Sequence, residues 1–168
     1  MEITETLYMT LREEWRDWLE RNHKTEKEVW LVSCRNFSGK PRLAYNDAAE
    51  EAICFGWIDG IEKKIDGMAS AQRFTPRKLK SNWSELSKER ARQMIERGLM
   101  TRAGFAKLGN ALEAAFQIPD VILKALKADA RTWRNFQEFT ETYRRVRIGY
   151  IEDARNVRLT FKSDLLTS

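Results

Sequence analysis

The 168-residue sequence holds two cysteines, one histidine and three prolines, and each scarcity excludes something. Cys34, Cys54 and His23 cannot make a zinc site, which needs four ligands at short, regular spacings. A structural metal is therefore not expected, and no cofactor is expected either. Both cysteines lie in apolar stretches, so they read as buried thiols of a reducing compartment rather than a disulfide framework. No apolar run approaches the roughly 18 residues that cross a bilayer, which predicts no membrane insertion. The N-terminus, MEITETLYMTLREEW, carries acids where an export signal needs a basic start and an apolar stretch, so the expected location is cytoplasmic. Nor is there a phosphate-cradling loop, because Gly104 and Gly109 are wrongly spaced and lack a following Lys-Ser/Thr.

What remains is a sequence 42% hydrophobic and 33% charged, the composition of a globule with a heavily charged surface. Its net charge of +5 is unevenly placed. Residues 1–71 carry 10 basic and 14 acidic side chains, residues 72–110 carry 10 and 3, and residues 111–168 carry 10 and 8. The excess of cations is thus local, either as a solvated helix face or as a patch facing anions.

Periodicity sets the elements. Leu11, Trp15, Trp18 and Leu19 recur at helical spacing, and Thr10 with Glu13 fits a capping box for a helix over 11–22. His23 then caps the helix end or lies at the surface. Glu28–Cys34 is β-branched and aromatic and reads as a strand, followed by turn chemistry over 36–41 and a short return strand over 42–45. Asn46 is the expected N-cap of a helix over 47–55 that Gly56 ends. Residues 57–59, 61–65 and 71–75 predict a hairpin with Gly60 at a bulge or turn, ended by Pro76. Helices are expected over 85–97, closed by Gly98, and over 101–116, weakened by Gly104 and Gly109. Further helices start at Pro119, Asp129 and Thr140.

These elements predict an α+β fold, a small antiparallel sheet from the Trp30, Trp57 and Phe74 segments covered by helices, with a C-terminal all-helical segment. The expected division is a core domain over 1–117 and a helical segment over 118–168, at the seam Gln117-Ile118-Pro119.

The densest mix of aromatic, cationic and small residues lies between Cys54 and Ser84. Its candidate ligand-binding residues are Trp57, Asp59, Arg73, Phe74, Arg77, Lys78, Ser81, Trp83 and Ser84. Arginine grips phosphate or carboxylate as a bidentate fork and lysine as a point charge. The serines and the helix start at Ser84 add donors where the helix dipole favours negative charge. Trp57, Phe74 and Trp83 offer flat faces for a ring or base. Against this stands the alternative that both tryptophans fill the core and Asp59 pairs with an arginine. Catalytic options are sparse. Cys54 with His23 requires the two to meet across the fold, and Asp59 with Glu62 or Asp66 makes an acid/base pair only if these aspartates do not bond their own turn backbone.

The run AICFGWIDG, then RFTPRK, SNWS and IERGLM, resembles the YdeI/OmpD-associated family, also called bacteriocin-protection proteins. The similarity extends upstream through Trp15-Arg-Asp-Trp-Leu19, Glu28-Val-Trp-Leu31 and Leu43-Ala-Tyr45, and downstream through Ile118-Pro-Asp120, covering nearly the whole chain. The resemblance implies a small bacterial or archaeal protein loosely associated with tolerance of antimicrobial peptides or envelope stress, with no catalytic residues to carry over. It also implies kinship with the wider YdhG-like group, some of whose members are proposed iron chaperones. Iron delivery needs an acidic ridge of oxygen ligands, whereas residues 72–110 are net positive.

The leading expectation is a non-enzymatic, cytoplasmic binding protein of the stress-tolerance type, taking a small anionic ligand or nucleotide at Arg73–Ser84. The alternatives are an enzyme acting on a small anionic substrate through Asp59, Arg73 and Arg77, and nucleic-acid binding through the basic 72–110 region. The oligomeric state is open.

Overall fold

A computed structural model of the protein describes the backbone of residues 2–34 and 41–166 and the side chains up to residue 156. The described residues form four strands and seven helices in an α+β fold. In chain order these are β1 (Thr6–Tyr8), α1 (Arg12–Asn22), β2 (Val29–Cys34), α2 (Tyr45–Cys54), β3 (Trp57–Lys64), β4 (Ala69–Pro76), α3 (Glu85–Glu96), α4 (Arg102–Leu108), α5 (Asp120–Lys127), α6 (Ala130–Glu138) and α7 (Glu141–Leu166). The chain divides into two compact units, one of residues 1–82 and 90–111, the other of residues 83–89 and 112–168.

In the first unit the sheet has the order β1-β2-β4-β3. It is mixed rather than purely antiparallel, because β1 pairs with β2 in parallel while β4 runs antiparallel to both its neighbours. Helix α1 makes the crossover that a parallel pair requires. The hairpin of β3 and β4 turns at Asp66, whose carboxylate accepts from the amides of Met68 (2.6 Å) and Ala69 (2.8 Å). The register shifts between Asp59 and Glu62, which makes Gly60-Ile61 the bulge expected at that glycine.

Strand pairing decides which residues share a face. Val29, Phe74 and Asp59 stand abreast, as do Leu31, Gln72 and Glu62, and Ser33 and Ser70. At one end this face is sealed by α1 and α2. Trp15, Leu19, Ala52 and Cys54 pack there with Val29, Trp57 and Phe74, all essentially without solvent exposure. Trp15 stacks on Trp18 with centroids 5.2 Å apart, and Trp18 meets Trp57 edge-on at 5.8 Å. Their indole nitrogens are not orphaned: Trp15 Nε1 donates to the Ala48 carbonyl (3.0 Å) and Trp57 Nε1 to the His23 carbonyl (3.2 Å). Aromatic burial of this kind contributes on the order of 4–6 kcal/mol per ring as an upper bound, so this cluster dominates the unit's stability.

Several local details differ from the sequence expectation. The glutamate that reaches back at the start of α1 is Glu14, which accepts from the amides of Thr10 (3.0 Å) and Leu11 (3.1 Å). Those bonds hold its carboxyl below the usual range. Residues 42–44 form no strand, and α2 starts at Tyr45 after Ala44. Asn46 does not cap it, because its side-chain oxygen accepts from Arg90 (2.7 Å). Helix α4 stops at Leu108, since Gly109 takes φ 53°. Of the turn expected over 36–41, residues 36–40 lie outside the described residues.

Burial raises the Cys54 thiol to about 11, and the nearby Glu51 charge adds to the effect. The folded chain therefore keeps a proton that the unfolded chain releases. This contribution to stability is present below the ordinary thiol pKa and is lost as pH climbs from about 9 to about 11. At mildly alkaline pH Cys54 is expected to resist a thiol reagent in the native chain, whereas Cys34 reacts, and both react in urea. Rapid labelling of Cys54 in the folded protein would contradict its enclosure.

The second unit builds its own small core. Asp129 caps α6 by accepting from the Thr132 amide (2.7 Å), and Thr140 accepts from the Tyr143 amide (3.3 Å) at the start of α7. Ile122, Phe136 and Ile148 are buried together, with Phe116, Ile118, Leu126 and Trp133 packed around them. Glu89 holds Arg145 at 2.8 Å, and Gly149 lets α7 approach Glu85, whose Cβ stands 3.1 Å from where an added methyl would sit.

Candidate functional site

Where α1 and α2 stop covering the sheet face, the first unit leaves a cleft of about 400 Å³. Its floor is apolar, from Leu31, Leu43, Ala48 and Phe74, and its walls carry Arg42, Tyr45, Asp59, Glu62, Gln72 and Ser33. A second hollow of about 310 Å³ shares Ser33, Arg42 and Glu62 with it and continues along the same face to Cys34, Lys64 and Ser70. That size, floor and wall are typical of a small-ligand site.

The polar groups are held in place. Tyr45 donates its hydroxyl to Asp59 Oδ2 at 2.6 Å. Partial burial, then the Asp59 carboxylate, holds that hydroxyl above its ordinary pKa, so it stays a donor at neutral pH. The Arg90 guanidinium stacks over the Tyr45 ring at 5.3 Å and is itself anchored on Asn46. Gln72 donates to the Gly60 carbonyl at 2.7 Å, and Ser70 donates to Glu62 Oε1 at 2.5 Å. Among the described residues, neither Asp59 nor Glu62 has a cation within ion-pair distance, and Arg42 has no carboxylate. Among the described residues, then, none of the three charges lining the cleft is in an ion pair, although Asp59 lies near enough to Arg77 to favour its protonated form.

The residues singled out from the sequence are distributed quite differently from one shared surface. Trp57 (1% exposed) and Phe74 (0%) are core. Arg73 precedes Asp59's partner Phe74 by one position, so it points to the opposite face, where Glu28 clamps it through Nε (2.8 Å) and Nη2. Arg77, 1% exposed, turns inward and donates to the Asn82 carbonyl (3.0 Å) and Ser81 Oγ (3.3 Å). Burial lowers its pKa to about 10, with Asp59 as the charge that favours its protonated form. Lys78 is exposed. Trp83 and Ser84 belong to the second unit, where Ser84 accepts from the Ser87 amide (3.2 Å) as a helix cap and Trp83 is buried. The guanidiniums beside Pro76 therefore do not form a solvent-facing receptor, and Asp59 is not assembled with Arg73. Of the nine residues, the cleft takes in only Asp59 and Phe74.

Several other cations of the 72–110 region are also committed to partners within the chain. Lys88 pairs with Glu85 (2.7 Å), Arg90 serves Asn46 and Tyr45, and Arg97 lies 3.6 Å from Glu50. Among the described residues no cluster of His, Cys, Asp and Glu has the geometry to hold a metal ion. No helix is long and apolar enough to cross a membrane.

Residues 7–107, more than half of the chain and the whole cleft, match the family described as domain of unknown function DUF8412. The chain belongs to the DUF8412 family. Residues 115–158 match a second family, described as bacteriocin-protection, YdeI or OmpD-associated (OmdA), as the sequence resemblance implied. No curated protein and no solved structure matches the chain.

Within the DUF8412 domain the sequence reading missed Arg42, Tyr45 and Gln72, and it considered Glu62 only as an acid/base partner of Asp59. Two of these were legible in part. Glu62 falls on the Asp59 face only because the bulge at Gly60-Ile61 resets the alternation, and Gln72 precedes Phe74 by two in β4. Arg42 and Tyr45 carry no such signal, because α2 alone brings them over the sheet.

Proposed function

We propose that this DUF8412–OmdA chain is a non-enzymatic binding protein that contributes to bacteriocin tolerance and receives its ligand in the sheet-face cleft. The observation that carries the cleft assignment is its pairing of an apolar floor with three charged groups, none of them in an ion pair among the described residues. A few oriented polar and charged groups beside an apolar floor are the kind of lining that fixes a small ligand's orientation. The bacteriocin role rests on the description of the family matched at 115–158.

Two variants test both parts together. Expression of the full chain in a bacteriocin-sensitive bacterium is expected to raise the inhibitory concentration of a cationic bacteriocin. Ser33→Trp, which sets an indole at the cleft wall, is expected to abolish that gain while leaving the circular dichroism spectrum unchanged. Asp59→Asn keeps the size of the side chain and is expected to weaken protection. Full protection by a folded Ser33→Trp variant would refute the cleft as the working site.

A further inference from the structure

Resting on that assignment of the cleft, we infer that its ligand is a short peptide carrying a basic residue next to an apolar one, with a free carboxylate.

The charges set the class. Asp59 and Glu62 line the cleft together with one guanidinium, Arg42. In each carboxylate one oxygen is occupied by a hydroxyl of the chain, Tyr45 on Asp59 and Ser70 on Glu62. A carboxylate has capacity for further donors, so each keeps acceptor positions for an incoming ammonium or guanidinium. These hydroxyls orient both acids and do not neutralise them. A ligand bearing two cationic groups and one carboxylate supplies the complementary set: cations for Asp59 and Glu62, and an anion for the fork of Arg42. A dipeptide of one apolar and one basic residue has that inventory, an α-ammonium, a side-chain cation and a terminal carboxylate.

The floor sets the rest. Leu31, Leu43, Ala48 and Phe74 give the apolar side chain a surface to cover, and about 400 Å³ is at the small end of the range for organic ligands. A nucleotide or phosphorylated ligand fits poorly, because the two carboxylates would face its charge. An apolar acid would satisfy Arg42 and leave both carboxylates unanswered.

Calorimetric titration of the full chain with three probes decides the matter: Leu-Lys, Leu-Glu and Leu-Lys amide. Leu-Lys is expected to bind at least about tenfold more tightly than Leu-Glu, the difference that one charge-assisted contact makes. The amide is expected to bind more weakly than Leu-Lys, and Arg42→Gln to erase that difference. Asp59→Asn with Glu62→Gln is expected to remove the preference for Lys over Glu. Equal binding of Leu-Lys and Leu-Glu to the unaltered chain would overturn the proposal without recourse to any variant. The two assignments fail separately. If none of the dipeptides binds but Ser33→Trp still abolishes protection, the ligand class is wrong and the functional cleft stands. If Leu-Lys binds and Ser33→Trp protects fully, the ligand class stands and the link to tolerance falls.

Discussion

Gly104→Ala is expected to destabilise the first unit by about 2–3 kcal/mol, against a helix-propensity gain of about 1 kcal/mol for the same change. The sign is set by a close approach. Gly104 sits inside α4 where that helix crosses the end of α2. A methyl at Gly104 would collide with the Cys54 carbonyl oxygen and with Met100 Sδ, and would stand 2.9 Å from the Cys54 carbonyl carbon. Methionine sulfur can swing aside, but the Cys54 carbonyl cannot, because it accepts from the Thr101 hydroxyl (2.6 Å) and the Thr101 amide (3.2 Å). The neighbouring Gly56 repeats the theme, with φ 74° and Ala103 O at 2.8 Å from an added methyl. Urea denaturation of Gly104→Ala measures the effect. A stability equal to or above that of the unaltered chain would mean that α4 and α2 do not pack this closely.

The second large effect is expected at Glu51. It is 1% exposed and lies between Arg12 and Arg16 of α1, with Oε1 2.6 Å from Arg12 Nε and Oε2 2.5 Å from Arg16 Nη1. Burial alone would lower both guanidiniums, but the Glu51 carboxylate, joined at Arg12 by Glu50, outweighs it and holds each above its ordinary pKa. Removing the carboxylate leaves two partly enclosed cations facing a neutral group, and breaking a buried pair in this way costs on the order of 3–5 kcal/mol. Glu51→Gln falls at the lower end, about 3 kcal/mol, because Arg12 keeps Asp47 (2.9 Å) and Glu50 (2.8 Å), and Arg16 keeps the Leu99 carbonyl (3.0 Å). Equilibrium unfolding again reads the loss. A change under about 1 kcal/mol would put the pair in the class of exposed ion pairs and contradict its burial.

Both predictions concern the packing of helices over one end of the sheet, and that packing is also what creates the cleft at the other end. Because α1 and α2 are bolted together by Trp15, Glu51 and their partners, Tyr45 at the first turn of α2 is held over β3 at the distance its hydroxyl needs to reach Asp59. A loosened α2 would therefore be expected to disturb the cleft as well as the stability.

Local chemistry alone determined much of this protein. The Trp15/Trp18 stripe, the strand at Val29–Cys34, the bulge at Gly60, the left-handed Gly56, and the caps at Ser84, Asp129 and Thr140 all follow from nearest-neighbour preferences. Such features are set by residues within a turn or two of each other, so no distant contact is needed to call them into being. The OmdA match lies at residues 115–158, whereas most of the local motifs that suggested that family fall within the DUF8412 match.

The third dimension alone decided which charged residues face the cleft and which hold the chain together. Arg73 and Arg77 read alike in sequence, four residues apart, yet one is clamped by Glu28 from 45 residues upstream and the other is folded inside. Asp59 faces the cleft, and Tyr45 reaches it only because α2 is seated over the sheet. Whether an ion is a binding group or an internal strut depends on what long-range packing brings within a few ångströms, and Coulomb and hydrogen-bond energies change most over that last distance.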